Sequence, residues 1–241
     1  MKPAAELLRD LAEATDELIA DAVGLGDAAA GEPSLLPGWT RGHVLSHLAR
    51  NAEGGTRLLD GARTGVPGYE YPSVAARAAA IEEGAGRPAA ELAADVRQTA
   101  AALAAAAGRL PPGAWSHPVT WTTGQQTPAY HVVQSRLAEV LIHHVDLAVG
   151  YGPDSWPAWF TAEMLDVVIA AENDGSPVPL NALLAAADTG REFRIDGPGP
   201  LRRVTGSEAD LLAWLLGRSD GAAVAGDDLG PLPGVPGIYL T

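Results

Sequence analysis

The chain has 241 residues, 47% of them hydrophobic, so it can bury a substantial core as one large domain or two modest ones rather than remain disordered. Its 30 acidic residues against 16 basic ones give a formal charge of −14, and no Lys/Arg cluster interrupts them, which argues against binding to nucleic acid or to an anionic membrane surface. There is no cysteine, so neither a disulfide framework nor a cysteine-ligated zinc is available, and any metal must be held by His, Asp, Glu or water.

Charges within the first ten residues break up the apolar core that a signal peptide needs. No later run reaches about 18 apolar residues without a charge, so a membrane span is not expected and the reading is a cytoplasmic protein. The first helix is predicted from Ala4 to about Val23, where Leu7, Leu11, Leu18 and Ala22 recur at helical spacing and Leu8, Ile19 and Val23 widen the stripe toward a core. The loop Leu35 to Trp39 leads to Thr40, whose hydroxyl suits an N-cap. A second helix then runs to about Leu59, with Val44, Leu45, Leu48 and Ala52 inward and His43 and His47 alongside.

An alanine-rich stretch predicts helices over Ser73 to Glu83 and Pro88 to Leu110, broken near Gly84 to Gly86. Pro111, Pro112 and Gly113 stop the second of these, and Val119 to Thr127 reads as a small hairpin turning at Gly124. Pro128 to Val149 is a further helix, carrying Glu139 and His143 one turn apart. Beyond Gly150 the composition changes. A helix over about Pro157 to Glu172 precedes short apolar runs at Ala182 to Ala187, Phe193 to Ile195 and Leu201 to Val204, and Ser207 with Asp210 opens an apolar helix as a capping-box-like start. The fold class expected is mainly α: a bundle with its bridging helix over 1–175, then a small α+β domain over 176–241.

Four of the six histidines fall in two short helical segments, and one segment adds a glutamate at i, i+4 from a histidine. Spacing leaves two readings open, a metal site or an exposed helical pair. If a metal binds, the neatest set is His47, Glu139 and His143, two imidazoles and one carboxylate, leaving at least one position for chemistry. Zinc suits these donors, although iron, nickel and manganese also use them. His43, His144 and Asp146 stand as outer-layer candidates, and His144 points about 100° away from His143 on the helix. Arg218, just after the last apolar helix, could clamp a substrate carboxylate; the local sequence favours a helix-terminal cation on the last carbonyls.

Leu35 to Asn51, Arg136 to Leu147 and Gly217 to Gly221 together resemble the mycothiol-dependent maleylpyruvate isomerase family across nearly the whole chain. The resemblance implies a DinB-like four-helix bundle with a C-terminal α+β domain. It also implies a metal, expected to be Zn2+, on His47, Glu139 and His143, and a functional role for Arg218. The implied activity is cis–trans isomerisation of maleylpyruvate to fumarylpyruvate in aromatic-acid catabolism. Mycothiol is the implied thiol cofactor: its thiolate adds to the cis double bond, the resulting single bond rotates, and elimination restores the thiol. Two other functions compete. One is a mycothiol S-transferase of the same superfamily whose adduct persists; the other is a non-enzymatic small-molecule-binding module. The partners expected are a small substrate and a low-molecular-weight thiol, and the acidic surface without a heptad seam makes a monomer the expected state.

Overall fold

Every third or fourth residue of the first helix, α1 (Ala4–Gly24), is apolar, and Leu7, Leu11, Leu18, Ile19 and Ala22 are buried along that stripe, whereas Val23, expected to widen it, is exposed in the last turn. The structure is a computed structural model, described over residues 2–173, 180–219 and 221–226. After a single-turn helix, α2 (Asp27–Ala30), which the sequence pattern does not announce, comes α3 (Arg41–Thr64). Its N-cap is Thr40, as expected. The helix continues beyond Leu59 because Ala62 extends the buried face and the first left-handed residue is Gly65, at φ 74°. The alanine-rich stretch forms α4 (Val74–Ala85) and α5 (Ala89–Gly108), separated as read at Gly86 and Pro88.

The hairpin is β1 (Pro118–Thr120) paired antiparallel with β2 (Gln126–Pro128), turning through Gly124 at φ 85°. It takes Pro128 away from the next helix, α6 (Tyr130–Asp146), which is therefore shorter at its start than the apolar pattern suggested. At the other end Ala148 has φ 52° and terminates the helix. Helices α1, α6, α3 and α5 pack in a ring, each touching the next and α5 closing onto α1, while α4 lies against α3. Close approach is built in at Gly42, where a Cβ would stand 2.2 Å from the Ala85 carbonyl oxygen.

The second unit contains α7 (Ala158–Asn173), β3 (Ala182–Ala186), β4 (Glu192–Ile195), β5 (Arg202–Gly206), α8 (Glu208–Leu215) and β6 (Ala225–Gly226). The strand order is β4-β3-β5-β6, with β3 parallel to β5 and antiparallel to β4. Ser207 and Asp210 form the expected reciprocal cap on α8, whose Leu211, Leu212, Trp214 and Leu215 are buried. The class is mainly α with a small α+β part. The compact units are Met1–Val149 and Gly150–Thr241, so α7 groups with the second unit, where it packs on α8 and β4. The expected boundary at Ser176 lies outside the described residues.

Candidate metal centre

On α3 the residues at Val44, Leu48 and Ala52 face the core, and His47, one position off that stripe, is buried with 1% of its surface exposed. Helix α6 is buried almost all round, so Glu139 and His143, one turn apart, both point inward. His47 Nε2 lies 2.8 Å from Glu139 Oε2 and 3.1 Å from His143 Nε2, and His143 Nε2 is 3.1 Å from that same carboxylate oxygen. Among the described residues this is the cluster of His and Glu ligand atoms that could hold one ion.

The donors fit a divalent metal. Ligands at about 2.0–2.1 Å in a tetrahedron lie about 3.3 Å apart, and the observed triangle is only slightly tighter. Three ligands also leave a tetrahedral ion one position for an incoming group. The layer outside them is formed on one side. Asp146, fully buried, accepts a hydrogen bond from His143 Nδ1 at 2.7 Å, fixing the ring with Nε2 toward Glu139. His47 Nδ1 instead faces Arg77 Nη2 of α4 at 3.2 Å, a group that only donates. The neutral His47 therefore carries its proton on Nε2 and shares Glu139 with His143.

Charge follows the burial. Desolvation lowers the His47 pKa to about 4, only partly opposed by Glu139, so this imidazole is neutral at neutral pH. Burial also disfavours a charged His143, yet the hydrogen bonds to Asp146 and Glu139 outweigh it and raise its pKa. Burial alone would push the Glu139 carboxyl up; His47 and His143 reverse that and hold it well below the ordinary carboxylate range. Arg136, one turn before Glu139, is buried. It donates from Nη1 to the Leu48 carbonyl at 2.8 Å and to Asn51 Oδ1 at 2.9 Å, and burial lowers its pKa only to about 10.

These states fix a proton count. Near neutral pH Glu139 and His47 carry no acidic proton that ligation would release, whereas His143 carries one below its raised pKa. Metal uptake is therefore expected to release about one proton per ion below the raised His143 pKa, and affinity to rise about tenfold per pH unit there before levelling off. Calorimetry in buffers of different ionisation enthalpy measures that number. A release near two would mean that His47 also starts protonated.

The other sequence candidates separate from the cluster. His43 is the reciprocal member of the α3 cap: its Nδ1 accepts from the Thr40 backbone N–H at 3.2 Å and from the Thr40 hydroxyl at 2.7 Å, and its Nε2 meets Glu82 at 3.1 Å. His144 turns to Asp21 of α1 at 2.8 Å. Arg218, in the second unit, donates to the Leu216 carbonyl at 2.6 Å, as a cation at a helix end does. Arg77 and Arg136 were not singled out from the sequence. Arg136 stands three residues before Glu139, a spacing that marks a shared helix face, while Arg77 carries no local signal.

Such a bundle, with two imidazoles and a carboxylate converging in its core, defines a helical protein with a candidate metal centre. The chain belongs to the family of the mycothiol maleylpyruvate isomerase N-terminal domain, whose model matches residues 11–148. Two solved structures resemble it over 96% of this chain and 97% of theirs, each with a TM-score of 0.89 and 25% identity. One is a mycothiol-dependent maleylpyruvate isomerase; the other is a histidine-to-alanine variant of a protein so named. No curated protein matches the sequence. Family and structural neighbours thus both indicate the mycothiol-dependent maleylpyruvate isomerases.

Proposed function

We propose that this chain catalyses the mycothiol-dependent isomerisation of maleylpyruvate to fumarylpyruvate, with a divalent metal, zinc by its donor set, on His47, Glu139 and His143. The observation that carries the reading is the meeting of those three ligand atoms at 2.8–3.1 Å in a chain of this family. Bound there, such an ion supplies the Lewis acidity that favours a thiolate, and mycothiol supplies the sulfur nucleophile for the cis double bond.

The chain's own residues do the positioning. Glu139 presents an ionised ligand, and its field helps keep the buried Arg136 charged. Asp146 orients His143 and takes its Nδ1 proton in hydrogen bonding, which leaves Nε2 free to ligate once deprotonated. Burial keeps His47 neutral, the form that ligates. Arg218 is assigned to the substrate, where a guanidinium holds a carboxylate or the negative charge that builds on the carbonyl side as the double bond is opened.

The test is product analysis with maleylpyruvate and either mycothiol or glutathione, with and without chelator. Fumarylpyruvate should form with mycothiol and disappear with chelator. A stable thioether in its place would assign the chain as a mycothiol S-transferase, and turnover indifferent to chelator would remove the metal from the reaction.

A further inference from the structure

Arg77 stands in a run of alanines on α4, half-buried, and among the described residues it forms no ion pair with any carboxylate. Its contacts are instead His47 Nδ1, at 3.2 Å, and Tyr71, whose ring centre lies 5.7 Å from the guanidinium carbon. Both are favourable contacts for a guanidinium, but neither brings the negative charge that a carboxylate would, in a chain of net charge −14 where carboxylates are plentiful.

The contact with His47 is also incompatible with ligation. An imidazole that binds a metal through Nε2 keeps its remaining proton on Nδ1, which then needs an acceptor. Arg77 offers only donors, so two N–H groups would confront each other at 3.2 Å. Loading the centre must therefore move the guanidinium off His47. Space lies close by. A cavity of about 470 Å3 is lined by Tyr71, the aromatic neighbour of Arg77, and by Ala76 and Ala80, one residue before and three after Arg77 on the same helix, together with Arg50, Glu53, Arg57 and Tyr69. In its wall Glu53 is already engaged, with Arg50 at 3.1 Å, and Arg50 also pairs with Asp95 at 2.8 Å. Glu70, next to Tyr71, accepts from the backbone N–H and hydroxyl of Thr122 at 3.2 and 2.8 Å. Those nearby carboxylates are thus occupied, and among the described residues Arg77 stands beside the centre without a carboxylate partner, held by His47 and Tyr71 alone.

We propose that Arg77 binds a carboxylate of the substrate, resting on His47 in the metal-free protein and turning to the substrate when the centre is loaded. The identity of that substrate as a cis dicarboxylate rests on the function proposed above. The exchange keeps a long-reaching cation at the site both before and after the metal is bound, and gives a negatively charged protein a local attraction for a dianion.

The experiment uses the full chain, Arg77→Gln and Arg77→Lys, with maleate as a non-reacting cis dicarboxylate. Calorimetric titration of maleate into the zinc-loaded protein should weaken at least tenfold in Arg77→Gln and recover partly in Arg77→Lys. Competition with a chelator should show zinc held as tightly or several-fold more tightly by Arg77→Gln, because the opposing donor is gone. Weaker zinc in Arg77→Gln, or maleate binding equal to the parent, would overturn the proposal. If the parent chain does not isomerise maleylpyruvate yet binds maleate through Arg77, the function reading fails and this one stands. If it isomerises maleylpyruvate with KM and maleate affinity indifferent to Arg77, the reverse holds.

Discussion

Replacing Glu139 with glutamine is expected to lower metal affinity and isomerase activity by at least about a hundredfold, while the helical signal of the loaded-buffer protein is retained. Outer-layer substitutions at histidine-ligated metals cost about 10–100-fold, and Glu139 is itself a proposed ligand, the one that brings a negative charge. The glutamine amide is nearly isosteric and can still meet one imidazole, so shape is kept and charge is lost. The loss reaches beyond the metal. Arg136 is buried within the field of Glu139, so removing that negative charge leaves a buried cation less well compensated. A lowered denaturation midpoint in the metal-free variant is therefore part of the same expectation. Metal content, turnover and midpoint check it, and full zinc retention in the variant would remove Glu139 from the ligand set.

Asp146→Asn is the second large effect, and its sign depends on pH. The carboxylate accepts from His143 Nδ1 at 2.7 Å and raises the basicity of the ring. An asparagine oxygen can accept the same hydrogen bond but adds no charge, so metal affinity should fall by about 10–100-fold where His143 is deprotonated. The same loss lets the His143 pKa fall, because desolvation is no longer outweighed by Asp146. Protons then compete less with the metal at low pH. The deficit should accordingly be small under acidic conditions and widen as pH rises, with the variant's affinity levelling off at a lower pH than the parent's. Zinc titrations at several pH values read this directly; a deficit that narrows with rising pH would contradict the role given to Asp146.

What could be read from sequence was the local part. Helical periodicity, the Thr40 and Ser207 caps and the turn at Gly124 are decided by neighbours a few residues apart, and the structure has them. Element ends were harder. Pro128 follows a hydrophobic rhythm that continues into α6, yet pairing with Pro118, ten residues upstream, claims it for a strand. His43 illustrates the same limit at the site: a capping box usually sets glutamate or glutamine at its third helical position, so a histidine there is recognised only once its Nδ1 is seen on Thr40. Glu139, His143, Asp146 and Arg136 share one helix, so their grouping is written in the i, i+3 and i, i+4 spacings. Arg77 reaches His47 only because α4 lies against α3, a contact between segments 30 residues apart that no periodicity encodes.

The ring order of the bundle bears on how the centre comes into being. His47 and Glu139 are separated by 92 residues, and the α3–α6 contact that joins them closes over the whole of α4, α5 and the hairpin. Closure of so long a loop is slow compared with forming the helices themselves, and its entropy is regained only when the packed interface is complete. During synthesis the first histidine is made long before its partners, and no pair of ligands from different helices can meet until α6 has left the ribosome. A metal held by these three residues would therefore meet its full ligand set only once α3 and α6 have packed, so the site cannot nucleate the fold from one short local segment as a zinc finger's does.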